Sequence, residues 1–156
     1  MAIHVVLYQP EIPANTANIA RTCAATDTAL HLIRPLGFST DEEMIKRTGL
    51  DFWHLVNIKY YDSLDDFFSK NLGEFYYIQT FGEKTYSSFD FSDQSKEHYF
   101  MFGKETTGLP KDLLEKNKDH FLRIPMSLHI RSLNLSNTAA ILVYEALRQQ
   151  GYPNLK

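Results

Sequence analysis

Short apolar runs rich in β-branched and aromatic residues alternate along this chain with segments of helical character, and that alternation is its strongest constraint. The runs fall at residues 3–8, 29–35, 55–61, 75–80, 98–102 and 120–126. Each is strand-length and too short for a buried helix. Between them lie candidate helices: from a cap at Asn15 or Thr16 to about 26, from 40 to about 47, at 63–71 with Ser63 as cap, and at 109–117 with Pro110 in the first turn. A last helix is expected over 138–150, stopped by Gly151 and Pro153. Residues 81–97 are polar and read as a loop. Strands and helices in this order predict an α/β fold with a mainly parallel sheet and helices on both faces. A chain of 156 residues is expected to form one domain, 1–156, around a single core.

The last helix, AAILVYEALRQQ, carries apolar residues on nearly every side, with Tyr144 and Glu145 as exceptions. A helix of that kind is buried all round. A small domain has little to cover it with, so a second copy of the chain is the expected cover.

No apolar run approaches the roughly 18 residues of a membrane span. The first residues, MAIHVVLYQPEIP, lack a basic leader and a small-residue cleavage site, and read as a first strand. Cys23 is the single cysteine, so no disulfide framework exists. A cytoplasmic protein without membrane association is expected. The net charge of −3 taken alone leans against a nucleic-acid partner. Yet Arg21, Lys46, Arg47, Lys104, Arg123, Arg131 and Arg148 lie near the motifs below, and a local basic patch can work within an acidic whole.

In parallel sheets, ligands bind beyond the carboxyl ends of the strands. Four segments expected there are unusual: PANTANIAR, IQTFG, FGKETTGLP and RIPMSLHIRSLNLSN. Gly103 and Gly108 are spaced as in a phosphate-binding loop, but Leu109 and Pro110 stand where Lys and Ser or Thr would follow, and Glu105 would repel phosphate. No GxSxG, HExxH or GxGxxG occurs, the six histidines lack ligand spacing, and no metal site is expected. Glu105 could cap the helix that follows it, and Asn134 and Ser136 could cap the last helix.

NTANIAR, FGKETTGLP and RSLNLSNTAAILVYEALR, in that order, resemble the three motifs of the SpoU branch of the SPOUT methyltransferases. The resemblance runs from LYQPEIPANTANIARTCAAT to EALRQQGYP and is closest to the minimal subgroup that modifies the tRNA wobble nucleotide; Ala17 departs from that subgroup's usual Gly. It implies a C-terminal trefoil knot, a homodimer joined through the C-terminal helix and the N-terminal helix region, and methyl transfer from S-adenosyl-L-methionine to a ribose 2′-hydroxyl of tRNA, with S-adenosylhomocysteine as product. By matched position, the cofactor would be held by Ile78, Thr80, Gly103, Glu105, Gly108, Leu109, Ile124, Met126, Ser132, Leu133 and Asn134. Gly103 would let backbone approach that ligand, and Leu109 would lie against its apolar surface. Arg21 would act at the catalytic step, with Arg131 and Tyr144 as further candidates. RNA contacts would fall to Asn15, Arg21, Lys46, Arg47, Lys104, His129 and Arg131. A guanidinium keeps its proton, so charge stabilisation or phosphate binding suits Arg21 better than a base. Other readings are the same chemistry on another tRNA site or ribosomal RNA, and a non-catalytic RNA- or cofactor-binding dimer. A flavodoxin-type nucleotide binder is disfavoured because no hydroxyl-rich loop follows the first strand.

Overall fold

The computed structural model describes residues 2–38 and 53–156. The helix expected at 40–47 lies outside the described residues. Seven strands form one sheet: β1 (Ile3–Tyr8), β2 (Ala29–Ile33), β3 (Ile58–Tyr61), β4 (Glu74–Ile78), β5 (Lys84–Thr85), β6 (His98–Phe102) and β7 (Phe121–Arg123). Their order is β3-β2-β1-β6-β4-β7-β5, and every pairing is parallel. Among the described residues, four α-helices accompany them: α1 (Pro13–Thr26), α2 (Leu64–Lys70), α3 (Lys111–Lys116) and α4 (Leu135–Gln150).

The strands are apolar runs because both faces of the sheet are covered. Side chains alternate between faces along each strand. Val5, Leu7, Leu30, Leu32, Phe100 and Phe102 pack with Ile19, Ala20 and Cys23 of α1 and Leu142, Val143, Ala146 and Leu147 of α4. Val6, Ile33 and Met101 point the other way and meet Phe67 of α2 and Leu114 of α3. Phe67 is fully buried and meets Tyr61, Phe68, Phe75 and Tyr99 edge-on.

Ser63 caps α2 by accepting from Asp66 N, as its sequence suggests. The start of α1 differs from expectation. It begins at Pro13, ahead of Asn15 and Thr16, and Ile12 at the cap position offers no side-chain acceptor. Proline suits this first turn because its missing donor is not needed there. α4 begins at Leu135, earlier than expected, with Asn134 as cap.

Residues 81–97 are more structured than their polarity suggests. Lys84–Thr85 adds a two-residue edge strand to β7. An edge strand with half its surface in water needs no apolar run, so no pattern announces it. Phe91 is fully buried, its N–H donates to Gln149 Oε1 and its carbonyl accepts from Gln150 Nε2.

α4 is also less exceptional than its sequence implies. The chain's own sheet and α1 bury Ala139, Leu142, Val143, Ala146, Leu147 and Gln150. Ala140 and Ile141 remain half-buried, and Tyr144 is 48% exposed.

Candidate functional site

The sheet reverses direction of growth at β1 and β6: β2 and β3 lie to one side, β4, β7 and β5 to the other. Ligands of parallel sheets gather beyond the carboxyl ends at such a point. A cavity of about 530 Å³ opens beside it, toward β4 and β7. That size is within the range of small-molecule sites.

Three connections and the starts of two helices build its wall. After β4 come Ile78 and Thr80, with Gln79 and Phe81 beside them. After β6 come Gly103, Glu105 and Gly108, with Lys104, Thr106 and Thr107. After β7 come Ile124 and Met126, then Arg131, Ser132, Leu133 and Asn134. Ile12 and Asn15 close the side formed by α1, and Leu135 and Thr138 the side formed by α4.

Ten of the eleven residues assigned to cofactor contact therefore meet in one place. Leu109 does not. It is 5% exposed and packs in the core cluster that holds Met101 and Tyr77. Its apolar character serves that core. Gly103 also has a different reason from the one expected. A Cβ there would fall on the backbone of Gly108 and Leu109, so glycine lets the loop close on itself. Lys104 and Gly108 seal this closure with paired backbone bonds of 3.2 and 2.9 Å. Gly108 holds φ at +74°, a conformation that favours glycine.

Glu105 does not cap the helix after it. Its Oε1 accepts from Glu11 N at 2.9 Å, and its Oε2 accepts from Ile12 N at 2.8 Å and from Asn15 Nδ2 at 3.2 Å. It supplies the acceptors that the start of α1 lacks, and a negative charge suits a helix N-terminus. Asn15 is 5% exposed and also accepts from Asn134 Nδ2 at 3.0 Å. From this buried place at the cavity wall it connects the loop after β6 to the start of α4. Asn134 Oδ1 accepts from Ser136 N at 2.9 Å, so the capping expectation for the last helix holds.

The other assigned residues lie around the cavity or away from it. Arg131 is exposed and lines it. Lys104 lines it, with Nζ 5.9 Å from the Tyr8 ring centre. Arg21 is exposed on α1, Tyr144 on α4 and His129 on the connection after β7, and none of the three lines the cavity. Lys46 and Arg47 lie outside the described residues. Sequence reasoning missed Glu11, Gln79 and Thr106. Hydrogen bonds from Thr106, side chain first and backbone second, hold the Glu11 carboxyl below its ordinary range. A helix start without its own cap, preceded by a Glu, was the available signal.

Burial pushes the Cys23 thiol up to about 12, which leaves it protonated and inert at neutral pH. Among the described residues, no group of three or more His, Cys, Asp and Glu is placed to hold a metal ion.

The cavity fits S-adenosylmethionine. Ile78, Ile124, Met126 and Leu133 offer apolar surface for a purine, while Thr80, Ser132, Asn134 and Thr138 offer hydroxyl and amide groups for its polar parts. The loop also holds Glu105 where a nucleotide phosphate would need a cation or a free N–H group.

Parallel sheet, displaced cavity and ordered motifs together define a methyltransferase of the α/β class. The chain belongs to the SpoU rRNA Methylase family, whose sequence model matches residues 2–144. It is 70% identical over 156 residues to a Geobacillus stearothermophilus protein provisionally named a tRNA (cytidine(34)-2′-O)-methyltransferase, with 99% of each chain covered. Among solved structures it is similar to a provisionally named RNA methyltransferase from Bacillus anthracis, with a TM-score of 0.97, 65% identity, and 99% and 98% of the two chains covered. A second, described as giving insight into the 2-OH methylation of C/U34 on tRNA, has a TM-score of 0.86 at 40% identity and covers 96% of this chain and 91% of its own.

Proposed function

We propose that this protein methylates the ribose 2′-hydroxyl of a tRNA nucleotide, the wobble position 34 of the anticodon, using S-adenosyl-L-methionine. The observation that carries the reading is the cavity, where ten of the eleven residues expected from the motifs converge. The high identity to relatives bearing the tRNA cytidine-34 name supports the substrate.

S-adenosylmethionine supplies a sulfonium-bound methyl group and leaves as S-adenosylhomocysteine. The chain's part is to align the ribose oxygen for an in-line displacement, which can supply much of the acceleration. Ile78, Ile124, Met126 and Leu133 hold the purine, and Asn134, tied to Asn15, fixes the polar side. Arg21 stabilises the negative charge that develops on the 2′-oxygen as its proton passes to solvent water, or grips the adjacent phosphate. Arg131 and Lys104, at the cavity wall, hold RNA phosphates. His129, Lys46 and Arg47 extend this basic surface. Tyr144 serves at the interface between two copies.

The homodimer, formed through α4 and the α1 region, is supported by the half-buried Ala140 and Ile141, by the exposed Tyr144 and by the position of Arg21 outside its own chain's cavity. The trefoil knot is supported by the long connection between β7 and α4, which shares the cavity wall with the loops after β4 and β6. A cytoplasmic place follows from a tRNA substrate; among the described residues no helix is long and apolar enough to cross a membrane.

The test is radiolabelled transfer from S-adenosylmethionine to tRNA from cells lacking the gene, with Arg21→Ala alongside. Label at the 2′-oxygen of nucleotide 34, lost in the variant, is expected. Label only on ribosomal RNA or at another tRNA site would overturn the substrate, and cofactor binding without any label would overturn the activity.

A further inference from the structure

Two carboxylates cross between the segment after β1 and the glycine loop after β6. Glu105 accepts from Glu11 N and Ile12 N, at 2.9 and 2.8 Å. In return, Glu11 Oε1 accepts from Thr106 Oγ1 at 2.7 Å and from Thr106 N at 3.1 Å. Each segment thus satisfies backbone donors of the other. The clasp occupies the switch point between β1 and β6, where a sheet of this order usually seats its ligand.

The two carboxylates stand differently toward the cavity. Glu105 and Thr106 line it, and Glu11 does not. Glu11 is therefore one step removed from any ligand there, joined to it by its side chain through Thr106 and by its backbone N–H through Glu105. On its other side, Glu11 is next to the start of α1. That segment is not self-supporting. Gln9 leaves β1 at φ +46°, a conformation that costs a non-glycine residue about 1–2 kcal/mol. α1 has no side-chain cap of its own. The position of its first turn is set by tethers: Gln9 N to Ile33 O at 2.9 Å, Gly37 N to Pro10 O at 2.9 Å, and the clasp. Arg21 lies on the same helix, about two turns further on.

We infer that Glu11 is a positioning residue that couples the glycine loop to α1, so that a ligand in the cavity, by fixing Thr106, also fixes the helix that carries Arg21. This rests on the reading of the cavity as the S-adenosylmethionine site. Ligand binding can shift such a segment only by favouring one of its arrangements, and Thr106 touches both sides, in parallel with Glu105 and with the cavity-lining Ile12 and Asn15. Both bonds to Glu11 end on one oxygen, so the role needs an acceptor at that point and not a charge.

The experiment follows amide hydrogen exchange of residues 9–16 in the full chain, with and without S-adenosylhomocysteine, in wild type, Glu11→Gln and Glu11→Leu. Affinity for S-adenosylhomocysteine and single-turnover methyl transfer to tRNA are measured beside it. In wild type and Glu11→Gln the ligand is expected to slow exchange over this segment by about tenfold or more, which is the effect of one or two secured hydrogen bonds. In Glu11→Leu this ligand-dependent protection is reduced severalfold, the remainder coming from Glu105 and the cavity-lining Ile12 and Asn15, while affinity stays within about threefold and transfer falls about tenfold. Thr106→Val, which removes one of the two donors, gives the intermediate result and carries the test should Glu11→Leu not fold.

Ligand-dependent protection undiminished in Glu11→Leu would overturn the coupling. Equal losses in Glu11→Gln and Glu11→Leu would show that the charge acts and not the position. Affinity falling in parallel with transfer would reduce Glu11 to structural support. A wild-type chain that binds no S-adenosylhomocysteine would sink the reading of the cavity and the coupling with it, a result distinct from the other three.

Discussion

Asn134 Nδ2 donates to Asn15 Oδ1 at 3.0 Å across 119 residues of sequence. The pair sits in a longer row: Asn15 Nδ2 donates to Glu105 Oε2, and Asn134 Oδ1 caps α4 through Ser136 N. Each amide is fixed in one orientation, its nitrogen toward an acceptor and its oxygen toward a donor. All three motifs meet in this row, which explains why they are found together.

Asn134→Ala removes a helix cap and a buried link at once. A destabilisation of about 1–2 kcal/mol is expected from urea unfolding. Asn15→Ala should cost a similar amount, and the double variant less than the sum, because the two share one bond.

Glu105 and Glu11 should answer differently to the loss of charge. Glu105 accepts through both oxygens, so Glu105→Gln turns an amide N–H toward a backbone donor. That mismatch is expected to cost about 1–3 kcal/mol. Glu11 accepts through Oε1 alone, and Glu11→Gln should unfold close to the urea midpoint of wild type, like an ordinary surface change. Equal destabilisation of the two variants would contradict this account of the clasp.

The two glycines of the loop should differ as well. Gly103→Ala drives a methyl into the backbone of Gly108, and a loss of about 3 kcal/mol with collapse of S-adenosylmethionine affinity is expected. Gly108→Ala places a methyl 3.1 Å from the Gln79 amide, the end of a movable side chain, and pays chiefly for its φ of +74°. A cost of about 1–2 kcal/mol is expected there. Thermal unfolding and calorimetric titration of both variants check the order.

His31 should make folding sensitive to acid. It is 1% exposed, with Nε2 2.9 Å from His4 Nδ1 and Nδ1 2.8 Å from the Tyr61 hydroxyl. Burial first, then the charges of His4 and Lys59, lower its pKa from 6.5 to about 3. The folded pKa is below the unfolded one, so the unfolded chain binds the extra proton. Stability is full above pH 6.5 and declines toward pH 3, at a slope approaching about 1.4 kcal/mol per pH unit. Urea titrations at pH 7, 6 and 5 measure this slope, and His31→Gln should reduce it by about one proton. An unchanged slope in that variant would assign the acid limb to other groups.

Much of this was legible in the sequence. Apolar runs located six of the seven strands because a sheet buried on both faces demands them. The motif residues found their cavity because they sit just beyond strand ends. The failures share a cause: contacts made between distant parts of the chain leave no local pattern. Leu109 resembled a ligand contact beside its glycines but was needed by a core that residues 77 and 101 complete. Asn15 looks like the cap of α1, whereas the backbone leading into the helix is held by Glu105, 94 and 93 residues away. Phe91 was hidden in a polar stretch whose partners, Gln149 and Gln150, lie at the far end of the chain.

The bonds that shape the site join residues separated by 94, 90 and 119 positions. Contacts of such long range form late, because a large loop must close before any of them is gained. A chain emerging from the ribosome has only part of this wall: until Asn134 has arrived, Asn15 lacks its partner. Ligand binding and completion of synthesis are therefore tied together, and a fragment that stops short of α4 should neither hold the methyl donor nor compete with finished enzyme for RNA.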